Sequence, residues 1–226
     1  MAKVYIGVGH GGSDPGAVKY LVEKDVNLKM ALACRDYLKS AGIEVKISRT
    51  TDKDSSIASK VSEANSWGAD LALDIHNNAG GGDGAEVYHS IVYGTGATLA
   101  KNILSEIEKI GQNSRGAKIK PDNNGTDYFG FIRLTSMPAV ITEAVFVDNK
   151  ADAAQADTDA ECKAFGVAIA KGILKTLGIK EPVSGSAATT SGKIYKVQVG
   201  AFKSKANADN LVKELKAKGY NAFVTK

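Results

Sequence analysis

The sequence predicts an α/β fold: a three-layer sandwich with a mostly parallel central sheet flanked by helices, plus a small C-terminal β-α-β unit. Two observations lead to this prediction. Short apolar runs alternate with segments of helical periodicity over residues 1–179, a pattern typical of parallel strands joined by crossover helices. Glycines also stand where the helices should end, at Gly42, Gly68 and Gly178, as expected for helix C-termini.

Six strands are expected in this first domain. Residues 3–8 are mostly apolar, and residues 43–47 alternate isoleucine and valine with polar residues. Apolar runs of strand length indicate the remaining strands, which we place at residues 71–75, 85–93, 131–134 and 139–146. The segment 111–130 is rich in polar and turn-forming residues, so we expect a loop there with at most one short element.

Four helices are expected between and after the strands, because apolar residues recur there at spacings of three and four. The first begins at Val26, with Asp25 as its N-cap. The next two carry apolar stripes over residues 57–67 and 99–110, and the last covers about residues 158–177. Ligand sites in such folds lie at the carboxyl ends of the strands, so the loops there are the expected location of chemistry.

A short unit follows the first domain. Residues 180–192 are rich in serine, glycine and threonine without apolar periodicity, which indicates a flexible linker. Within residues 193–226 we expect a strand at 193–199, a helix that Ser204 caps, and a strand at 220–224. Because this unit has only 34 residues and contains no cysteine or histidine, we expect it to need association for stability.

The formal net charge of +4 belongs to the C-terminal unit. Residues 1–179 contain 20 Lys and Arg against 22 Asp and Glu, a net charge of −2, whereas residues 193–226 contain 8 lysines against 2 acidic residues, a net charge of +6. A basic module favours an anionic partner, and a solvated lysine-rich surface explains the charge equally well. Basic and aromatic residues do not interleave, which argues against nucleic-acid binding.

The sequence also bears on where the protein works. The N-terminal segment lacks the basic and apolar regions of a secretory signal, and no run approaches the roughly 18 apolar residues of a membrane span. Cys34 and Cys162 fall on apolar helix stripes, which suggests reduced, buried thiols and synthesis in a reducing cytosol. We therefore expect a protein made in the cytoplasm without a signal peptide.

Two of the three histidines, His10 and His76, stand where an apolar strand gives way to glycine or asparagine. They converge only if their strands are parallel, and zinc would then explain the pair, because zinc binds imidazole and carboxylate ligands. Asp14, Glu23 and Asp25 are the nearby acidic candidates for a third ligand. Asp14 lies in a turn suited to an Asx role and Asp25 is the expected helix cap, which leaves Glu23 the freest. Ordinary loop positions for both histidines are the alternative.

Glu143 is the one acidic residue in the otherwise apolar strand 139–146. A buried carboxylate is costly unless something uses it, and burial raises its pKa. Beside a metal-activated water, such a carboxyl is suited to act as a general base. We interpret the third histidine, His89, as structural or as a surface residue. The local zinc signature H-E-x-x-H and the common phosphate-binding glycine motifs are absent.

Five segments occur in the order found in one enzyme family: 9–17 (GHGGSDPGA), 23–28 (EKDVNL), 75–78 (IHNN), 84–88 (GAEVY) and 137–143 (MPAVITE). Through them, nearly the whole first domain resembles the zinc-dependent N-acetylmuramoyl-L-alanine amidases. The resemblance implies that His10, Glu23 and His76 bind one zinc ion. It also implies that Glu143 is catalytic and that the fold is a three-layer α/β sandwich. The chain departs from the family pattern at Asp74, where serine is common, and this departure removes no ligand.

The implied reaction is hydrolysis of the amide between N-acetylmuramic acid and the L-alanine of the peptidoglycan stem peptide, by zinc-activated water with Glu143 as general base. The resemblance extends to phage or prophage endolysins and to sporulation enzymes that lyse the mother cell, which act on the wall after lysis or holin-type release. Asn78, Arg115 and Arg133 are candidate substrate-contacting residues. A catalytically inactive peptidoglycan-binding protein and a zinc peptidase that cuts the stem peptide are the alternatives.

Residues 193–226 resemble one half-repeat of a sporulation-related (SPOR) domain, through the segments 193–202 (KIYKVQVGAF), 206–209 (ANAD) and 219–223 (GYNAF). The resemblance implies binding to peptidoglycan. A SPOR domain normally contains two β-α-β halves, and a lone half leaves an exposed sheet edge. We therefore expect two chains to pair these residues in a homodimer. Truncation of a longer chain is the alternative explanation.

Overall fold

The chain divides into two units, Met1–Ala188 and Thr189–Lys226. The computed structural model of the protein describes residues 1–182, 199–202, 204–218 and 222–224. The first unit contains the sheet expected for residues 1–179. The domain boundaries expected at residues 179 and 192 stay predictions.

Six strands form one sheet in the first unit. They are β1 (Lys3–Val8), β2 (Glu44–Ile47), β3 (Leu71–Asn78), β4 (Ala85–His89), β5 (Ser114–Lys118) and β6 (Ala139–Phe146). Their spatial order is β2-β1-β3-β6-β4-β5. The pairs β2-β1, β1-β3, β3-β6 and β4-β5 are parallel, and β4 runs antiparallel to β6. The sheet is therefore mostly parallel, as the sequence predicts.

Helices cover both faces of this sheet. They are α1 (Glu23–Ser40), α2 (Ile57–Trp67), α3 (Gly94–Glu108), α4 (Gly130–Leu134), α5 (Lys150–Ala153) and α6 (Asp159–Leu177). On one face, Ile6 and Leu73 pack in a core with residues of α1, α3 and α6. On the other, Tyr5 and Ala72 pack with residues of α2 and α4. Three layers result, which confirms the predicted architecture. Among the described residues, no helix is long and apolar enough to cross a membrane.

The segment 131–134 forms part of helix α4, so the strand predicted there is wrong. Phe131 and Ile132 are buried against the face of the sheet that α2 also covers. A four-residue apolar run has no period that separates a strand from a helical turn. Packing on the sheet therefore decides the conformation of this segment.

Helix α1 begins three residues earlier than predicted, at Glu23. Val22 occupies the N-cap position without a side-chain hydrogen bond, so the prediction that Asp25 caps the helix is wrong. The segment 111–130 contains β5, which agrees with the one short element expected there. Strand β4 ends at His89, earlier than the predicted end at residue 93.

The registers of β1, β3 and β6 bring their carboxyl ends to one edge of the sheet. Val8 of β1 lies opposite Ile75 of β3, and His76 of β3 lies opposite Glu143 of β6. Because paired strands that run parallel end on the same side, the loop after β1 opens beside His76. The expected convergence of strand ends is therefore present.

A β-bulge interrupts the β3-β6 pairing just beyond these residues, where β6 carries one extra residue opposite Asn77. Side chains satisfy the backbone there. Asn77 Oδ1 accepts a hydrogen bond from the Val145 N–H at 3.1 Å. Gln112 Nε2 donates to the Ala144 carbonyl at 3.2 Å. The bulge thus leaves these buried backbone groups bonded.

The second unit contains helix α7 (Lys205–Ala217), which confirms the predicted helix. Ser204 stands at its N-cap position without a side-chain cap hydrogen bond, and none of the helix residues is buried. The strands predicted at 193–199 and 220–224 lie largely outside the described residues. Their described parts belong to no regular element.

Glycine lets α6 approach α1 closely. A Cβ at Gly166 would lie 2.3 Å from the Met30 carbonyl oxygen of α1. We expect Gly166→Ala to lower the free energy of unfolding by about 1–3 kcal/mol, because backbone atoms must shift to admit the methyl group. Urea unfolding measures this change. Lys175→Ala, at an exposed position of the same helix, should stay within about 0.5 kcal/mol, and equal stability of the two variants would contradict the argument.

Candidate metal and catalytic site

His10, Glu23 and His76 meet at the carboxyl edge of the sheet. His10 follows β1, Glu23 is the first residue of α1, and His76 lies near the end of β3. One possible ligand atom from each residue lies within 4.8 Å of the others. Glu23 Oε1 stands 3.1 Å from His10 Nε2 and 3.1 Å from His76 Nδ1. The structure thus brings the three predicted metal ligands together, and their role as ligands stays a prediction.

Several donors fix the Glu23 carboxylate between the two imidazoles. Its Oε2 accepts from the Ala17 N–H at 3.0 Å. Its Oε1 accepts from the Asn77 N–H at 3.2 Å and from Asn27 Nδ2 at 3.3 Å. The N-terminus of α1 also favours negative charge at this position. Glu23 is therefore held by the helix start, whereas the sequence predicted a freer position in the preceding loop.

Backbone conformation and Asp14 orient His10. The φ of His10 is 56°, in the left-handed region that residues other than glycine rarely adopt. Asp14 Oδ2 lies 2.7 Å from His10 Nδ1, and Asp14 Oδ1 accepts from the Gly16 N–H at 3.0 Å. Asp14 has the Asx-type role expected from its turn. Its contact with His10 is an addition that the sequence did not indicate.

Gly9 and Arg49 hold the loops that carry these residues. A Cβ on Gly9 would lie 2.5 Å from Cε1 of the His76 ring, so only glycine leaves room for the imidazole. The buried Arg49 guanidinium donates to the Gly9 carbonyl at 3.0 Å and to the Lys24 carbonyl at 2.8 Å. Each of these carbonyls belongs to a neighbour of a predicted ligand. Arg49 therefore ties the end of β1 to the start of α1.

The electrostatics of the cluster follow from burial and from these contacts. Burial raises the pKa of Glu23, but hydrogen bonds with His10 and His76 hold it well below its usual range. Burial alone would lower the pKa of His76, but the Asp74 and Glu23 carboxylates raise it to about 10. The hydrogen bond with Glu23 is the main cause that raises the pKa of His10. The contacts that favour protons on the two imidazoles are the same contacts that would favour a cation in their place, and binding of a metal would release those protons.

Glu143 projects beside this cluster from β6, in register with His76. Its Oε2 is buried and has no hydrogen-bond partner among the described residues. Burial, with help from the Glu23 and Glu86 carboxylates and against the effect of His76, raises the pKa of Glu143 to about 7. A carboxyl with this pKa can accept and release a proton near neutral pH. Glu143 is therefore in a suitable position for the catalytic role predicted for it, and that role stays a prediction.

A second carboxylate, Glu86, is paired with Glu143 across the antiparallel strands β4 and β6. Lys118 Nζ donates to it at 2.6 Å, and Arg115 Nε forms a further short hydrogen bond. Asn78 Nδ2 lies 3.4 Å from its other oxygen. The structure therefore places Asn78 and Arg115 beside the site, bonded to Glu86. Their contact with substrate stays a prediction.

Arg133 and His89 lie toward the opposite end of β6. Arg133 lines a cavity of about 320 Å³ together with Pro138 and Ala139, the start of β6. Its role in substrate binding stays a prediction. His89 is 3% exposed and its Nδ1 lies 2.8 Å from the Ser90 carbonyl oxygen. His89 is therefore structural, and the alternative interpretation as a surface residue is wrong.

Sequence reasoning missed several residues of this site, among them Glu86, Arg49 and Asn27. Glu86 had a usable signal, because it is an acidic residue within an apolar strand, as Glu143 is. Arg49 had none, since its partners are carbonyl groups brought near by the fold. Asn27 stands four residues after Glu23, but this spacing indicates a contact only when the helix begins at Glu23, earlier than predicted.

An α/β sandwich with two imidazoles and two carboxylates at the carboxyl edge of its sheet is typical of metal-dependent hydrolases. Within that class, the chain belongs to the N-acetylmuramoyl-L-alanine amidase family, which its residues 4–175 match. Residues 171–226 match the SPOR domain. The protein is thus a peptidoglycan amidase by family, as the resemblance of its motifs predicted.

Similar proteins agree with this assignment. The chain is 38% identical over 229 aligned residues to the N-acetylmuramoyl-L-alanine amidase CwlM of Bacillus licheniformis, covering 99% of this chain and 85% of CwlM. It is also 38% identical to the sporulation-specific N-acetylmuramoyl-L-alanine amidase of Bacillus subtilis (strain 168), covering 99% and 84%. The catalytic domain of CwlV, an N-acetylmuramoyl-L-alanine amidase of Bacillus (Paenibacillus) polymyxa var. colistinus, superposes with a TM-score of 0.72 at 29% identity, covering 80% of this chain and 100% of that catalytic domain.

The close approach of Gly9 to His76 can be tested by substitution. We expect Gly9→Ala to weaken binding of the predicted zinc ion roughly 10- to 100-fold, the range seen when groups that orient a metal ligand are lost. Competition with a chelator measures the affinity. Gly130→Ala is the control, because its Cβ would meet Ile57 at an ordinary 3.5 Å. Unchanged zinc affinity in Gly9→Ala would contradict the steric argument.

Proposed function

We propose that the first unit binds one zinc ion through His10, Glu23 and His76, and that Glu143 moves the proton in amide hydrolysis. The observation that carries this proposal is the position of Glu23 Oε1, 3.1 Å from one ring nitrogen of each histidine. The amidase activity follows from the family. The identity of the metal and the role of each residue are the proposed part.

The donor set suits zinc. Zinc in hydrolases commonly takes three protein ligands, imidazole nitrogens and a carboxylate oxygen among them, and keeps a fourth position for water or substrate. Glu143 Oε2 lies beside the cluster without a hydrogen-bond partner among the residues that the structure describes, which supports a reacting group at this position. Bound here, zinc supplies Lewis-acid chemistry, which polarises a carbonyl and makes a water more acidic.

Glu143 accepts and then donates the proton through its Oε2 atom. Its carboxylate takes a proton from the attacking water and then returns it to the nitrogen of the departing L-alanine. The raised pKa of about 7, caused chiefly by burial, suits both transfers near neutral pH. Asn27 and Asn77 meanwhile hold the Glu23 carboxylate in place. The chain's own residues therefore supply both the proton relay and a fixed ligand set.

The sequence left two alternatives: a wall-binding protein without catalysis, and a zinc peptidase that cuts within the stem peptide. The match to the amidase family argues against both. The presence of all four site residues favours hydrolysis. Digestion of purified peptidoglycan separates the three functions. An amidase releases L-alanine amino termini without new reducing sugars, a peptidase releases other amino termini, and a binding protein releases none.

Substitution of Glu143 tests its role. We expect Glu143→Gln to lower amidase turnover about 10²- to 10⁴-fold, the usual contribution of general acid–base catalysis. Zinc affinity should be largely retained, because Glu143 is not a proposed ligand. Release of L-alanine amino termini and chelator competition measure the two properties.

The matched control is Glu108→Gln, an exposed glutamate in α3. It should leave both turnover and zinc affinity unchanged. Wild-type turnover in Glu143→Gln would refute the proton-transfer role, and a parallel loss of zinc would reassign Glu143 as a ligand.

For the second unit, we propose binding to peptidoglycan and pairing of two chains through residues 193–226. The match to the SPOR domain supports wall binding. Pairing is supported by the exposure of apolar side chains, since Val199 is 63% exposed and Phe223 is 72% exposed. Helix α7 also buries none of its residues. A second copy of the unit would cover such surface.

Sedimentation equilibrium of the full chain tests the pairing. We expect a concentration-dependent mass that approaches twice the 23.6 kDa of one chain. Replacement of exposed Phe223 by Ser should weaken the association, whereas replacement of exposed Tyr128 in the first unit should not. A monomer at the highest concentrations would rule out the homodimer.

The cellular route of the protein stays a proposal as well. We propose synthesis in the cytoplasm and action on the wall after lysis or holin-type release. Fractionation of producing cells before and after lysis tests this. Amidase already bound to the walls of intact cells would contradict it.

A further inference from the structure

Asp74 is a buried carboxylate for which the proposed mechanism has no use. It lies on β3 two residues before His76, and side chains two apart on a strand share one face of the sheet. Asp74 is 2% exposed. It shares this face with Tyr5 and Ala72, which pack with residues of α2 and α4. A buried carboxylate at such a position needs a partner.

Lys60 of α2 is that partner. Its Nζ lies 2.9 Å from Asp74 Oδ1 and 3.0 Å from Asp74 Oδ2, and the lysine is also 2% exposed. The ammonium thus contacts both carboxylate oxygens. This contact offsets the cost of burying the carboxylate while leaving its negative charge in place.

A glycine in strand β1 leaves space for the Asp74 side chain. Gly7 is in register with Asp74, and a Cβ on Gly7 would lie 2.5 Å from Asp74 Oδ1. Two residues further along the chain, the absence of a Cβ at Gly9 leaves space for the His76 ring in the same way. The side chains of Asp74 and His76 therefore both occupy space left free by glycines, one in β1 and one just after it.

The two ring nitrogens of His76 face different carboxylates. Nδ1 lies 3.1 Å from Glu23 Oε1, on the side of the proposed zinc site, and Nε2 lies 3.5 Å from Asp74 Oδ2. His10 has a related arrangement with its nitrogens exchanged, because Nε2 faces Glu23 and Nδ1 lies 2.7 Å from Asp14 Oδ2, closer than His76 Nε2 lies to Asp74. A histidine that binds a metal usually gives its other N–H to a carboxylate, carbonyl or water.

We propose that Asp74, held by Lys60, is a positioning residue that keeps the proton of His76 on Nε2 and so leaves Nδ1 free to bind zinc. This inference rests on the proposed zinc site and adds its outer partner. It also links α2, which carries none of the proposed ligands, to metal affinity. An amide at position 74 would accept the same proton without the negative charge, and the histidine would be a weaker ligand.

The test compares three variants: Asp74→Asn, Lys60→Met and the double variant. Zinc affinity is measured by chelator competition at constant pH, and stability by urea unfolding of the metal-free protein. We expect Asp74→Asn and the double variant to bind zinc about 10- to 100-fold more weakly than wild type. The double variant buries no unpaired charge, so it should be the more stable of the two and remain folded for the measurement.

Lys60→Met separates positioning from a merely structural role. It leaves the Asp74 carboxylate facing His76 but removes its partner, so stability should fall while zinc affinity changes less than about threefold, below the range for a lost outer partner. If zinc affinity instead follows stability and is weakest in Lys60→Met, the proposal is overturned. Wild-type affinity in the double variant overturns it as well.

A spectroscopic readout locates the proton directly. In the zinc-loaded wild type, ¹⁵N NMR of the imidazole should show the His76 proton on Nε2, exchanging slowly with water. Faster exchange in the double variant supports the proposal, and a proton on Nδ1 in the wild type overturns it. Failure of the wild type to bind zinc at all would refute the proposed function instead, so the two failures are distinguishable.

Discussion

The register of three parallel strands is the constraint on which the site depends. With β1, β3 and β6 adjacent, Val8 stands beside Ile75 and His76 beside Glu143. A slip of one residue would turn His76 to the opposite face, among the apolar side chains under α1 and α6. The hydrophobic pattern that fixes this register therefore also aligns the reactive groups, and folding and function share one requirement.

Charge compensation explains how so many ionisable groups can lie close together and buried in the site. The Glu23 carboxylate lies between two imidazoles and near a helix N-terminus, which keeps it ionised despite burial. Asp74 is ionised for a similar reason, because Lys60 and His76 offset its burial and lower its pKa to about 2. Burial raises the pKa of Glu143, whose Oε2 has no hydrogen-bond partner within the described part of the chain. Neighbouring carboxylates in this site thus differ widely in pKa.

Much of the fold and the site was predictable from the sequence, since periodicity and strand ends are local signals. The convergence of His10 and His76 followed from parallel strands. The start of α1 did not, because Asp25 is a better cap residue than Val22 and the helix nevertheless begins at Glu23. Pairings between distant segments, such as Lys60 with Asp74, depend on how α2 lies on the sheet. No spacing rule encodes them, so they become visible only in three dimensions.

The β-bulge at the end of β6 has a consequence for how the protein can change. At the bulge, the side-chain amides of Asn77 and Gln112 bind the backbone of β6 where the ladder of strand hydrogen bonds is interrupted. The loops that follow Asn78 and Phe146 begin beyond this bulge, past the pairing of His76 with Glu143 that aligns the reactive groups. They can vary in length and composition over evolution without shifting the strands. The same arrangement of reactive groups can in this way lie beside loops of different shape.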